Sequence, residues 1–140
     1  MGQQARDIFT LSFTAPAAVA AFRGVDFTGA QITAQGARIA GISKRGAALG
    51  AGFEAAVIGT AVCEAGAAIT VGQALRMDSV GRVIPAVNLT VATGAVAVTS
   101  SAANGAILAG GLVPEMIVGY ALEAASGAGV MLEVLLTIGN

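Results

Sequence analysis

The side chains able to do chemistry are few and stand apart from one another. The single cysteine, Cys63, sits in Thr60-Ala61-Val62-Cys63-Glu64, and the chain has no histidine to take its proton. A small buried side chain is therefore expected there and not an activated nucleophile. The missing histidine also removes His-based zinc sites and Ser-His-Asp triads. The eight acids, Asp7, Asp26, Glu54, Glu64, Asp78, Glu115, Glu123 and Glu133, are spaced singly. A carboxylate pair or a hard-metal cluster would have to be assembled wholly by the fold. Asp78, with Gly81 three positions on, has the preferences of a turn former.

Lys44-Arg45 is the only adjacent basic pair, and the seven cations are scattered over a chain of net charge -1. That is too few on any one stretch for a nucleic-acid surface. No Gly-x-x-x-x-Gly-Lys-Ser/Thr phosphate loop is present, and Gly50-Ala51-Gly52 lacks the third glycine of a dinucleotide turn. The residues assign no catalytic, cofactor-binding or metal site and no small-molecule substrate, and the chain is not expected to be an enzyme.

What remains is composition. Charged residues make up 11% of the 140, against roughly 25% in an ordinary soluble domain, while hydrophobic residues reach 56% and mean hydropathy is +0.82. Either the chain lies in a membrane or other protein chains cover much of its surface. No charge occurs between Arg82 and Glu115, longer than the about 20 residues a spanning helix needs. That run nevertheless holds Pro85, Asn88, Thr90, Thr93, Gly94, Thr99, Ser100, Ser101 and Asn104. No membrane span is expected from it. Arg6 and Asp7 fall where a signal peptide's apolar core would begin, and Cys63 has no second cysteine to pair with, so cytoplasmic synthesis without disulfides is expected.

The clearest element is a hairpin. Ala74 to Met77 and Arg82 to Ile84 flank the turn Asp78-Ser79-Val80-Gly81, with Leu75 and Met77 expected inward, Arg76 outward, and Pro85 ending the strand. Ile8 to Phe13 alternates as a half-buried strand with Phe9, Leu11 and Phe13 on one face. Four of the six aromatics, Phe9, Phe13, Phe22 and Phe27, lie in the first fifth of the chain. They are expected to weight the core, the alternative being an arm that inserts into a neighbouring subunit. Ala18 to Phe22 and Val25 to Thr28 read as extended runs, Ser43 to Gly46 as a solvated polar turn, and Phe53 to Val62 as a longer strand pair or a bulged strand, with Gly59 marking a bend or a close backbone approach. Thr90 to Thr99 reads as a strand, Ser100 to Gly111 as a small-residue loop, and Glu123 to Ala125 as room for one helical turn. There is also an internal echo. Ile39 to Ile42 followed by Gly52 to Ile58 resembles Ile117 to Tyr120 followed by Leu132 to Leu136, a short, gapped match that reads as two similar hairpins packing in one barrel and not as a duplication of the chain.

The run Val57 to Val62, then Ala65-Gly66-Ala67-Ala68-Ile69-Thr70-Val71-Gly72-Gln73-Ala74-Leu75, the turn from Asp78 to Pro85, and the ending Ile117 to Ala125 with Glu133 to Leu136 resemble the capsid cement, or head decoration, proteins of tailed bacteriophages. The resemblance covers roughly residues 37 to 140 in pattern. It implies a homotrimer on the outer surface of a phage head, clamping neighbouring subunits of the major capsid protein against packaged DNA. The low charge agrees, because obligate interfaces are larger and more apolar than free surface.

The expected fold is all-β, a small barrel or sandwich of short antiparallel strands with Gly/Ala-rich loops, in one domain over residues 1–140. Residues 1–7 form an N-terminal extension, and Ile8, Phe9, Leu11 and Phe13 are the candidate subunit or capsid contacts. A tail or fibre component shares this composition, and an enzyme with a fold-built carboxylate site is the remaining class.

Overall fold

The computed structural model describes residues 5–87 and 116–137. The tip 1–4, the strand expected at 90–99, the loop at 100–111 and Glu115 lie outside the described residues. Within them there is no helix, and so none long and apolar enough to cross a membrane. The chain is all-β, with strands β1 (Asp7–Thr14), β2 (Gly24–Val25), β3 (Gly41–Ser43), β4 (Gly52–Glu64), β5 (Ala74–Met77), β6 (Val83–Pro85), β7 (Gly119–Ala121) and β8 (Met131–Leu136). They form one antiparallel sheet in the order β2-β3-β4-β8-β7-β5-β6, with β1 also on β4. A parallel bridge from Ala65 to Val83 brings β6 back to the end of β4, so this part of the sheet curls almost to a closed barrel.

The echo seen in the sequence runs through the whole sheet. β1 pairs the first half of β4, with Thr10 opposite Ala56 and Phe13 opposite Phe53. The second half of β4 pairs β8 in the same way, with Thr60 opposite Leu135 and Cys63 opposite Leu132. Val19 and Ala47 exchange backbone bonds as Ile69 and Ala125 do. The Phe22 amide donates to the Ser43 carbonyl as the Gly72 amide does to that of Ala121, and both residues have positive φ. Gly24 faces Ile42 as Ala74 faces Tyr120. The chain is therefore two structural repeats joined through the unbroken strand β4. The first repeat runs from β1 to the middle of β4, the second from there to β8.

Each repeat has its own interior. Ala15, Val19, Val25, Phe53 and Ala55 pack in the first, with Phe13 stacked on Phe53 at 5.8 Å between ring centres. Burying one such aromatic stabilises by about 1.5–3 kcal/mol. The equivalent positions Ala65, Ile69, Leu75, Leu132 and Val134 fill the second, in a larger cluster that also takes in Ile39, Ile42 and Ala56 from the first repeat. The two repeats are thus welded by apolar contact as well as by β4.

Several local expectations are corrected. Arg76 does not point out but is buried, its Nε donating to the Pro85 carbonyl at 3.2 Å. Phe9 and Leu11 are not in the core. Register shifts on either side of Phe9 break the alternation of β1 and leave Phe9 facing Ile58, both exposed. Ala18 to Phe22 is a bridge at Val19 and a turn, and Asp26 to Gly29 closes a turn and not a strand. Ser43 is buried at the end of β3, its hydroxyl accepting from the Arg23 amide and donating to the Ala20 carbonyl. Glu123 to Ala125 holds no helical turn, because Ala125 is spent on the bridge to Ile69. Gly59 marks both the bend and a close approach: φ is 107°, and a side chain there would meet the backbone of Arg6 and Ile8.

Candidate interaction surface

Five of the carboxylates, those of Asp7, Asp26, Glu64, Asp78 and Glu123, are occupied in holding turns and joining strands. Asp78 Oδ1 accepts the amides of Val80 and Arg82, each at 2.8 Å, and Oδ2 meets Arg82 Nε at 2.8 Å. Burial works to raise this carboxyl, but the two amides and the guanidinium outweigh it and hold the group below its ordinary value. Asp26 repeats the device, accepting the Thr28 and Ala30 amides and the Thr28 hydroxyl, and is lowered against its own burial in the same way. Glu64 pairs with Arg23, and Asp7 pairs with Lys44, whose hydrogen bond lowers the Asp7 carboxyl. Glu123 accepts the amide of Glu133. Among the described residues no three acids, cysteines or histidines come together as metal ligands.

Cys63 is fully buried, and desolvation pushes its thiol up to about 12. Its Sγ lies 3.2 Å from the Phe22 carbonyl, at the seam between the repeats. It is a packing group and not a nucleophile.

The exposed apolar groups are what set this molecule apart. At the start of β1, Ile8 is 80% and Phe9 50% exposed, and Ile58 stands opposite Phe9. Leu11 is also exposed on the same strand. Of the four sequence-predicted contacts, then, β1 keeps Ile8, Phe9 and Leu11 at the surface, while Phe13 turns onto Phe53 and anchors the strand. A second exposed set lies on the outer face of the second repeat, where Tyr120 and Leu135 sit side by side with Leu122 close in sequence. Sequence reading did not single these out. The signal was the repeat itself, legible in Ala15-Pro16-Ala17-Ala18-Val19 against Ala65-Gly66-Ala67-Ala68-Ile69.

Among curated protein sequences none is similar to this chain. Its fold is similar to the crystal structure of the N base of the head fibre gp8.5 of bacteriophage phi29, with a TM-score of 0.61 at 16% sequence identity, over 94% of this chain and 96% of that one. At that identity the likeness speaks for the fold. The sequence itself matches one family from residue 3 to residue 138, almost end to end, and the chain accordingly belongs to the phage cement proteins, structural components of the virion.

Proposed function

We propose that this protein binds the outside of a tailed-phage capsid as a homotrimer and holds neighbouring major capsid subunits together against the pressure of packaged DNA. The observation that carries the reading is the apolar end of β1, where exposed Phe9 faces exposed Ile58 and Ile8 next to Phe9 is exposed too, in a chain with only 11% charged residues. A patch of this kind on a low-charge surface marks a protein contact. Phe13, locked on Phe53, fixes the strand that presents it, with Leu11 alongside. Asp7, Asp26, Glu64, Asp78 and Glu123 are engaged in turns, strand contacts and ion pairs, which supports a structural and not a catalytic role.

The deciding experiment is the mass of the purified protein by light scattering, with and without expanded empty capsids of the parent phage. A trimer, or a monomer that trimerises only on the shell, supports the reading. A stable monomer that ignores capsids overturns it. Phe9→Ser should weaken capsid binding at unchanged thermal stability, and deletion of residues 1–7 with unchanged binding would exclude the polar tip from the contact. The fold shared with a head-fibre base keeps a second reading, a fibre or tail component, which binding around the head shell would exclude.

A further inference from the structure

The two repeats meet through an interface whose two sides are not the same. On the first repeat the contact is the outer face of β2, β3 and β4, where Gly24, Ile42 and Ala56 lie in one cross-strand row. On the second repeat it is the strand 60–64 together with the tip of the turn after β5. The Glu64 amide donates to the Phe22 carbonyl, the Gly24 amide donates to the Gly81 carbonyl, and Arg23 Nη2 meets Glu64 Oε2. This contact leaves Ile42 1% and Ala56 2% exposed.

Each repeat carries both halves of that interface, but among the described residues only one copy of each half is used within the chain. The outer face of the second repeat, with Ala74, Tyr120 and Leu135 in the matching row, is left open by the described residues, and Tyr120 and Leu135 are 43% and 41% exposed. The docking half of the first repeat, strand β1 with the turn at Asp26 to Gly29, is likewise left open by the described residues. We infer that a second copy of this chain fills the open face, its β1 and its Asp26–Gly29 turn lying on Ala74, Tyr120 and Leu135 as residues 60–64 and the Asp78–Gly81 turn lie on Gly24, Ile42 and Ala56.

Two further observations favour that occupant. The residues that stand where Arg23 and Glu64 stand are Gln73 and Thr14, so both charges of the internal pair are replaced together by uncharged hydrogen-bonding groups. Loss of one charge alone would leave the other uncompensated in an interface. The turn of the first repeat follows β2 directly and lacks the two residues, Arg76 and Met77, that extend β5. In its place it offers Phe27, 65% exposed, where the second repeat has Ser79, a side chain long enough to cover the shorter reach. Because the two surfaces differ, copies join head to tail, an arrangement that forms a ring where the rotation between copies closes and a filament where it does not. The inference rests on the trimer proposed above for the number of copies, which makes a ring of six repeats.

The test is cross-linking between two single-cysteine additions, Thr14→Cys and Gln73→Cys, with a short bis-maleimide. It is run in solution and on expanded empty capsids. The buried Cys63 serves as the unreactive background. A mixture of the two variants should give a cross-linked dimer while either variant alone gives none, and the double variant should give a ladder ending at three chains. Leu135→Arg should abolish the cross-link and lower the assembled mass to that of one chain, with an unchanged circular dichroism spectrum. A trimeric mass without cross-linking in the mixture, or Thr14→Cys cross-linking to itself, overturns the head-to-tail interface and leaves the trimer standing. A protein that stays monomeric in both settings overturns both.

Discussion

Arg23 of the first repeat and Glu64 of the second form an ion pair at 2.5 Å whose side chains are only 16% and 17% exposed. Arg23 Nη1 also donates to the Val80 carbonyl, and its Nε is buried without a partner. The guanidinium therefore depends on Glu64 for most of its compensation. Glu64→Thr should lower unfolding free energy by about 2 kcal/mol, between the values for exposed and fully buried pairs. Adding Arg23→Gln, which recreates the pair Gln73 and Thr14, should restore most of that loss. Urea denaturation of the two single variants and the double one measures the coupling, and additive effects would show that the pair does not join the repeats.

Acid should destabilise the protein through its turns. Asp26 and Asp78 are both held below the ordinary aspartate value of 3.8 in the folded chain. A carboxyl lowered by folding contributes stability that is fully present above its unfolded value, and that stability is lost as pH falls through the folded value. Thermal midpoints should therefore stay level near neutrality and fall below about pH 4. Asp78→Asn keeps the acceptor to the Val80 and Arg82 amides but loses the charge facing Arg82. It should cost about 1 kcal/mol at pH 7 and flatten the acid limb. An unchanged acid limb would place the sensitivity elsewhere.

Cys63 reports on the seam between the repeats. Its thiol is enclosed beside the Phe22 carbonyl and its deprotonation is pushed to about 12. The folded protein should therefore resist a thiol-reactive dye at pH 8 for as long as it stays folded, and label at once in urea. Labelling in the native state at a rate well above that of global unfolding would mean that the repeats part from each other locally.

The sequence made some of this plain and hid the rest for physical reasons. The hairpin around Asp78 was legible because an Asx turn is a local event: one side chain, two amides and a glycine with positive φ within the five residues from Asp78 to Arg82. The bend at Gly59 and the burial of Cys63 were legible for the same kind of reason. The full repeat was not, because its positions exchange within one class of small apolar residues, as Val19 for Ile69 or Ala55 for Val134, which leaves little contrast to align. The second repeat also spaces its parts more widely, so Gly41 and Gly119 stand at unequal distances from Ala15 and Ala65. On β1 the failure was one of register: strict alternation would have buried Phe9 with Phe13, and the shifts beside Phe9 turned it to the surface. Tyr120 and Leu135 read as ordinary strand residues, and only their buried counterparts Ile42 and Ala56 mark them as half of an interface.

The repeats make a paired prediction about glycine. In β3, a side chain on Gly41 would place its Cβ 2.5 Å from the Ala56 carbonyl oxygen, and in β7 one on Gly119 would run into the Leu135 carbonyl in the same way. Neither glycine needs an unusual φ, so the requirement is close backbone approach across the hairpin. Backbone cannot yield as a side-chain tip does. Gly41→Ala and Gly119→Ala should each cost about 1–3 kcal/mol, the range for forcing extra volume into packed structure. Gly127→Ala, in a turn where nothing lies within 4 Å, should be close to neutral. Chemical denaturation of the three variants tests the equivalence. A large loss at one of the first two sites and none at the other would mean that the two hairpins are held by different constraints despite their common register.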